Sequence, residues 1–166
     1  MKTISIIVPC YNEEDNIENF YLEISKVLNQ NAGYLFEVIC IEDGSNDNTL
    51  KILKEVVTRD SRFKVIELSR NFGKEAAITA GIDHSSGDAV IPIDCDLQDD
   101  PSILEEMLEL IDEGIEVIFS ETVPAKAPIY RKIGRQSLAA LTRKLTGQNR
   151  STNLGGPFLL SRTATN

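Results

Sequence analysis

Asp94-Cys95-Asp96 closes the apolar run Ala89-Val90-Ile91-Pro92-Ile93, and Leu97-Gln98-Asp99-Asp100-Pro101 follows at once. Acidic oxygens at that density repel one another unless a cation sits among them, and hard carboxylate ligands suit Mg²⁺ or Mn²⁺. Asp94 and Asp96 are therefore the candidate centre of a metal–phosphate site. Asp99 and Asp100, directly ahead of Pro101, read instead as caps of the next helix. Two other apolar runs end in polar clusters, Pro9-Cys10-Tyr11-Asn12-Glu13-Glu14 and Glu42-Asp43-Gly44-Ser45. Asp43 suits the N–H of a nucleobase or a ribose hydroxyl, while Asn46-Asp47 reads as an Asx turn. Ser69-Arg70-Asn71-Phe72-Gly73-Lys74 opens a helix, where Arg70 and Lys74 are candidate phosphate ligands.

Several chemistries are excluded by the same residues. Gly73-Lys74 is no P-loop, because Glu75 replaces the Ser/Thr and Leu68 stands where the first Gly belongs. No GxGxxG follows any strand, and His84, the single histidine, is expected in a polar loop without triad partners.

The elements that must position these residues alternate. Apolar runs at Ile4–Val8, Phe36–Ile41, Val65–Leu68, Ala89–Ile93 and Val117–Phe119 predict strands. Helical periodicity predicts helices over Asp15–Leu28, Thr49–Thr58, Lys74–Asp83 and Pro101–Glu113. Strand–helix alternation of this kind predicts an α/β fold, a mostly parallel sheet covered on both faces. Pro9 is expected to end the first strand, and the polar clusters then share the carboxyl edge, where open α/β sheets bind ligands.

The 166 residues, 42% of them hydrophobic, suffice for one core. Three cysteines, Cys10, Cys40 and Cys95, lack CxxC spacing and read as reduced thiols of a cytoplasmic protein. No run reaches the length of a membrane span, and a net charge of −9 argues against nucleic acid as a partner. The charge is divided, however. Residues 1–121 carry 9 cations and all 26 acids, whereas 122–166 carry eight cations and no acid. We therefore expect a core over 1–121 and a basic segment over 122–166 that meets phosphates or an anionic surface. Within it, Ile129–Thr146 reads as an amphipathic helix, with Arg131, Lys132, Arg135 and Arg143 on one half of the wheel. Such a helix suits either an anionic membrane surface or packing on its own sheet.

Four ordered stretches, Ile6–Glu14 (IIVPCYNEE), Glu42–Thr49 (EDGSNDNT), Ser69–Gly81 (SRNFGKEAAITAG) and Gly87–Pro101 (GDAVIPIDCDLQDDP), resemble the family 2 inverting glycosyltransferases. The SRNFGKE and DCDLQDDP wording resembles the branch that transfers a sugar to a polyprenyl or dolichyl phosphate. The resemblance implies a nucleotide-diphospho-sugar transferase (Rossmann-like) fold and a UDP- or GDP-linked sugar donor. Pro9, Tyr11, Glu13 and Asp43 would line the nucleotide pocket with Lys74, and Asp94, Asp96 and Gln98 would hold the metal and diphosphate. Arg131, Arg135 and Ser137 would hold the phosphate of a lipid-phosphate acceptor at the cytoplasmic face of the membrane. Two departures stand out. Gly155-Gly156-Pro157-Phe158 lacks the carboxylate of the family's Gly-Asp-Phe-like turn, and the sequence stops at Asn166 where the family continues, so it reads as truncated. A saccharide acceptor, a non-catalytic nucleotide-sugar-binding fragment and a haloacid-dehalogenase-like phosphatase with Asp94 as nucleophile are the alternatives. The last usually carries its DxD after the first strand rather than the fourth.

Overall fold

The computed structural model describes residues 1–97 and 103–112 in full and the backbone of 117–119 and 158–161. Gln98, Arg131, Arg135, Ser137 and the expected basic helix lie outside the described residues. Elements run β1 (Thr3–Cys10), α1 (Ile17–Gln30), β2 (Leu35–Glu42), α2 (Thr49–Arg59), β3 (Phe63–Glu67), α3 (Lys74–His84), β4 (Ala89–Pro92), α4 (Ile103–Asp112), β5 (Val117–Phe119) and β6 (Phe158–Ser161). The strands order as β3-β2-β1-β4-β6-β5. The first four are mutually parallel, and β6 runs antiparallel to both β4 and β5.

The central strands are apolar on both faces because both faces are covered. Ile4, Ile6, Val8 and Cys10 of β1 pack beneath Phe20, Ile24 and Leu28 of α1, Leu53 and Val56 of α2, and Leu104, Met107 and Leu108 of α4. The alternate residues Ile7, Ile39, Ile41 and Val90 face Ala77 of α3. Gly81 makes that contact close, since a Cβ there would strike the Ile7 side chain. The start of α3 is thus brought against the sheet beside the strand ends.

Two expectations change. β1 does not end at Pro9 but continues to Cys10, paired with Glu42. The last β1–β4 pair is Ile7↔Pro92, so Pro9 lies past that ladder and its missing N–H breaks no bond in it. His84 is the last residue of α3, not part of a loop, and its Nδ1 lies 2.8 Å from the Ala80 carbonyl oxygen.

Near the amino ends of the strands a buried carboxylate ties the sheet to the α3–β4 connection. Glu37 accepts from Ser5 Oγ (2.5 Å), Ser86 N (2.6 Å), Ser86 Oγ (3.0 Å) and Lys64 Nζ (2.7 Å). Burial pushes its pKa up, but the donors from Lys64, Ser5 and Ser86 outweigh this and bring it from the usual 4.5 down to about 2. A depressed carboxylate stabilises the fold above its unfolded pKa, and that stability is lost as pH falls toward the folded value. The lowering would be worth more in a fully dry site. With Lys64 exposed, we expect wild type to exceed Glu37→Gln by about 2 kcal/mol at neutral pH. Urea titrations at stepped pH should show the gap closing between pH 4.5 and 2. A gap independent of pH would contradict this account.

Candidate active site

Strand order 3-2-1-4 places the topological switch between β1 and β4, the place where open α/β sheets open a crevice at their carboxyl edge. A cleft of about 370 Å³ lies there. Pro9 lines it from β1, Tyr11 and Glu13 from the loop after β1, Asp43 from just past β2, Asn71, Gly73 and Lys74 from the turn into α3 and its first residue, and Asp94 and Asp96 from the turn after β4. Of the predicted site residues within the described part of the chain, Pro9, Tyr11, Glu13, Asp43, Lys74, Asp94 and Asp96 meet in one cleft, and Arg70 is not among the residues that line it. A larger, more open depression over α2, lined by Lys51, Lys54, Glu55 and their neighbours, contains none of them.

The loops around the cleft are stitched to one another. Asn12, at φ +55°, donates its N–H to Ser45 Oγ (3.0 Å), and its Oδ1 accepts from Asn46 N (2.9 Å). Asp47 Oδ1 accepts from Thr49 N at 2.9 Å, the Asx turn expected there. Glu13 is held through its N–H to Thr49 Oγ1 (2.8 Å) and through Asn16 Nδ2 on its carboxylate (2.6 Å). Tyr11 remains exposed at the rim. A ligand thus meets prearranged backbone rather than a loop that must be ordered at its expense.

Asp43 is buried, and its two oxygens accept the N–H groups of Phe72 and Gly73, each at 2.8 Å. It clamps the turn ahead of α3, and only its remaining lone pairs face the cleft. Arg70 lies with its guanidinium 4.6 Å from the centre of the exposed Phe72 ring. Lys74 reaches across to Asp94, with Nζ–Oδ distances of 2.6 and 2.7 Å. After Asp96 the chain turns sharply at Leu97, φ +51°.

Cys10 and Cys95 form part of the cleft wall. Hydrogen bonding with Cys40 and Cys95, together with burial, pushes the Cys10 thiol well above the ordinary range. It stays protonated and is no nucleophile. The charged chemistry of the cleft belongs to Asp94, Asp96, Asp43, Glu13 and Lys74. Among the described residues no group of three or more His, Cys, Asp or Glu is arranged to cage a cation. Asp94 and Asp96 fit the other kind of site, in which one or two carboxylates hold Mg²⁺ or Mn²⁺ and waters and substrate phosphates complete the shell.

A doubly covered, mostly parallel sheet with a carboxylate pair and a polar cleft at its switch point defines an open α/β protein with a ligand crevice at its carboxyl edge. The sequence matches the model of glycosyl transferase family 2 over residues 5–165, and the chain belongs to that family. It is 44% identical over 117 residues to an uncharacterized glycosyltransferase of Synechocystis sp., covering 70% of this chain and 36% of that protein. It is 39% identical over 118 residues to the bactoprenol glucosyl transferase of Shigella phage SfV, covering 71% and 38%. Among solved structures it is similar to glucosyl-3-phosphoglycerate synthase from Mycobacterium tuberculosis in complex with Mn²⁺, UDP and glucosyl-3-phosphoglycerate. That likeness has a TM-score of 0.65 at 25% identity, covering 98% of this chain and 57% of the other. The chain thus spans little more than a third of the length of these two curated relatives. Family membership sets the phosphatase alternative aside. Sequence reasoning missed Gly44, Asn71 and the clamping bonds of Asp43, which join segments almost thirty residues apart.

Proposed function

We propose that this domain binds a nucleoside-diphospho-sugar with a divalent cation, Mg²⁺ or Mn²⁺, and that the enzyme it belongs to transfers the sugar, with inversion, to a lipid-linked phosphate. The observation that carries this reading is the meeting of Asp94 and Asp96 with Tyr11, Glu13 and Asp43 in one cleft at the switch point. Pro9, Tyr11, Glu13 and Asp43 would hold the nucleoside, and Asp94, Asp96 and Gln98 would hold the cation. When bound, the cation supplies neutralisation of the leaving diphosphate. A phosphate acceptor is already anionic near neutral pH, so its attack on the anomeric carbon asks for positioning rather than a strong general base. Arg131 and Arg135, with Ser137, supply that positioning in this reading. The likeness to a bactoprenol glucosyl transferase supports the lipid acceptor, and the Mn²⁺–UDP complex of a structural relative supports the donor.

The test is calorimetry with UDP and GDP, each in Mn²⁺ and in EDTA. One of the two should bind only with the cation and, at a hundredfold excess over Kd, should stabilise the fold by about 2.7 kcal/mol. Equal affinity in EDTA would remove the reading. Release of nucleoside diphosphate from a nucleotide sugar when polyprenyl phosphate is added separates transfer from binding alone.

Residues 126–150 should associate with anionic vesicles at low salt, because eight cations and no acid follow Glu121. Each engaged cation is worth roughly 1 kcal/mol within a Debye length of about 8 Å at physiological salt. Vesicle sedimentation checks this: charge reversal at Arg131 and Arg135 should abolish binding. Equal sedimentation with neutral and anionic vesicles would leave the segment to packing and solvent.

A further inference from the structure

One ammonium group, Lys74 Nζ, spans both carboxylate oxygens of Asp94 at 2.6 and 2.7 Å. The backbone beneath that lysine is fixed. Asp43 holds the N–H groups of Phe72 and Gly73, and the Gly73 carbonyl accepts from Ala77 N at 3.1 Å as α3 begins. The side chain itself is 51% exposed, so it can swing while its Cα stays in place. Asp94 therefore has a built-in cationic partner at the position where the proposed function places a divalent ion.

A divalent cation arriving alone must displace that ammonium or sit beside it, and like charges a few ångströms apart repel. A diphosphate changes the balance, because it offers Lys74 a second anion to which a lysine binds as a point charge. Resting on the donor-site reading above, we infer that Lys74 is the coupling residue of that site. It holds Asp94 against a lone cation and turns to the diphosphate when nucleotide and cation enter together. Exposed ion pairs are weak, so the exchange is cheap: Lys74 lowers the affinity for a lone cation by no more than about fivefold. By linkage, whatever nucleotide adds to cation affinity the cation must add to nucleotide affinity.

The experiment titrates Mn²⁺ into the chain with and without UDP or GDP, following free Mn²⁺ by electron paramagnetic resonance and nucleotide binding by calorimetry. Lys74→Met, which keeps the apolar stem without the ammonium, should bind Mn²⁺ alone about two- to fivefold more tightly than wild type. Its nucleotide affinity at saturating Mn²⁺ should fall about tenfold, as for loss of a charge-assisted contact. The mutual enhancement of Mn²⁺ and nucleotide shrinks accordingly. Lys74→Arg should restore it in large part, and Lys54→Met, which breaks the exposed Lys54–Glu67 pair, should change nothing. Nucleotide binding with an unaltered enhancement in Lys74→Met overturns the inference and leaves the donor site standing. Failure of every nucleotide to bind wild type in Mn²⁺ overturns both.

Discussion

Asp96→Ala is expected to reduce UDP or GDP affinity in Mn²⁺ to the level seen in EDTA, a loss of more than about a hundredfold. Removing a group that only supports a metal ligand already costs about 10–100-fold, and Asp96 is proposed as a ligand itself. Its side chain is exposed in the turn after β4, outside the buried core, so the variant should still fold cooperatively. That combination of intact folding and lost cation dependence separates a ligand from a structural residue. Calorimetry with paired urea curves reads both quantities. A variant that still binds nucleotide more tightly in Mn²⁺ than in EDTA would take Asp96 out of the site. Asp43 offers no such clean separation, because its oxygens also hold Phe72 N and Gly73 N. Truncating it would release the turn that carries Lys74 as well as any contact with the nucleoside.

Much of this arrangement is legible in the chain because local pattern and global topology agree. Strands buried on both faces become unbroken apolar runs, so β1, β2 and β4 stand out without any contact information. The polar clusters lie at the ends of those runs, and a parallel sheet then gathers them on one edge. β6 is different. It has four residues, and its partners are Ala89, Val90 and Val117–Phe119, thirty-nine or more residues earlier. Nothing local distinguishes Phe158–Ser161 from any short apolar stretch. The strand exists because of pairing at a distance, which periodicity does not encode. The continuation of β1 through Pro9 has the same origin, since the proline is tolerated only because β4 ends at Pro92. The pairing of Lys74 with Asp94 was equally hidden. The two are 20 residues apart, and the contact follows from where the α3–β4 crossover returns. Residue types announced that charge would meet charge at this edge, but only the topology chose the partners.

Gly44→Ala should be the most damaging small substitution in the loops around the cleft, destabilising the fold by about 2–5 kcal/mol. Two independent causes add. Gly44 sits at φ +68°, where a side chain raises the backbone energy by about 1–2 kcal/mol. An added Cβ would also lie 2.5 Å from Arg70 C and from Asn71 N, and overpacking typically costs about 1–3 kcal/mol. The obstructing atoms are backbone, so no rotamer change relieves the clash. The turn over 70–73 must move outward instead, pulling Phe72 N and Gly73 N from Asp43 and shifting the base of Lys74. Nucleotide affinity in Mn²⁺ should therefore fall even at a temperature where the variant remains folded. Gly73→Ala isolates the first cause, because Gly73 lies at φ +93° with open space around its Cβ position. Gly33→Ala, with nothing within 4 Å, serves as the control and should change neither stability nor binding. The checks are urea denaturation of the three variants and nucleotide titration in Mn²⁺. Equal stability of Gly44→Ala and Gly73→Ala would show that the close approach of residue 44 to the 70–71 backbone does not constrain the cleft, and that conformational strain alone sets the penalty.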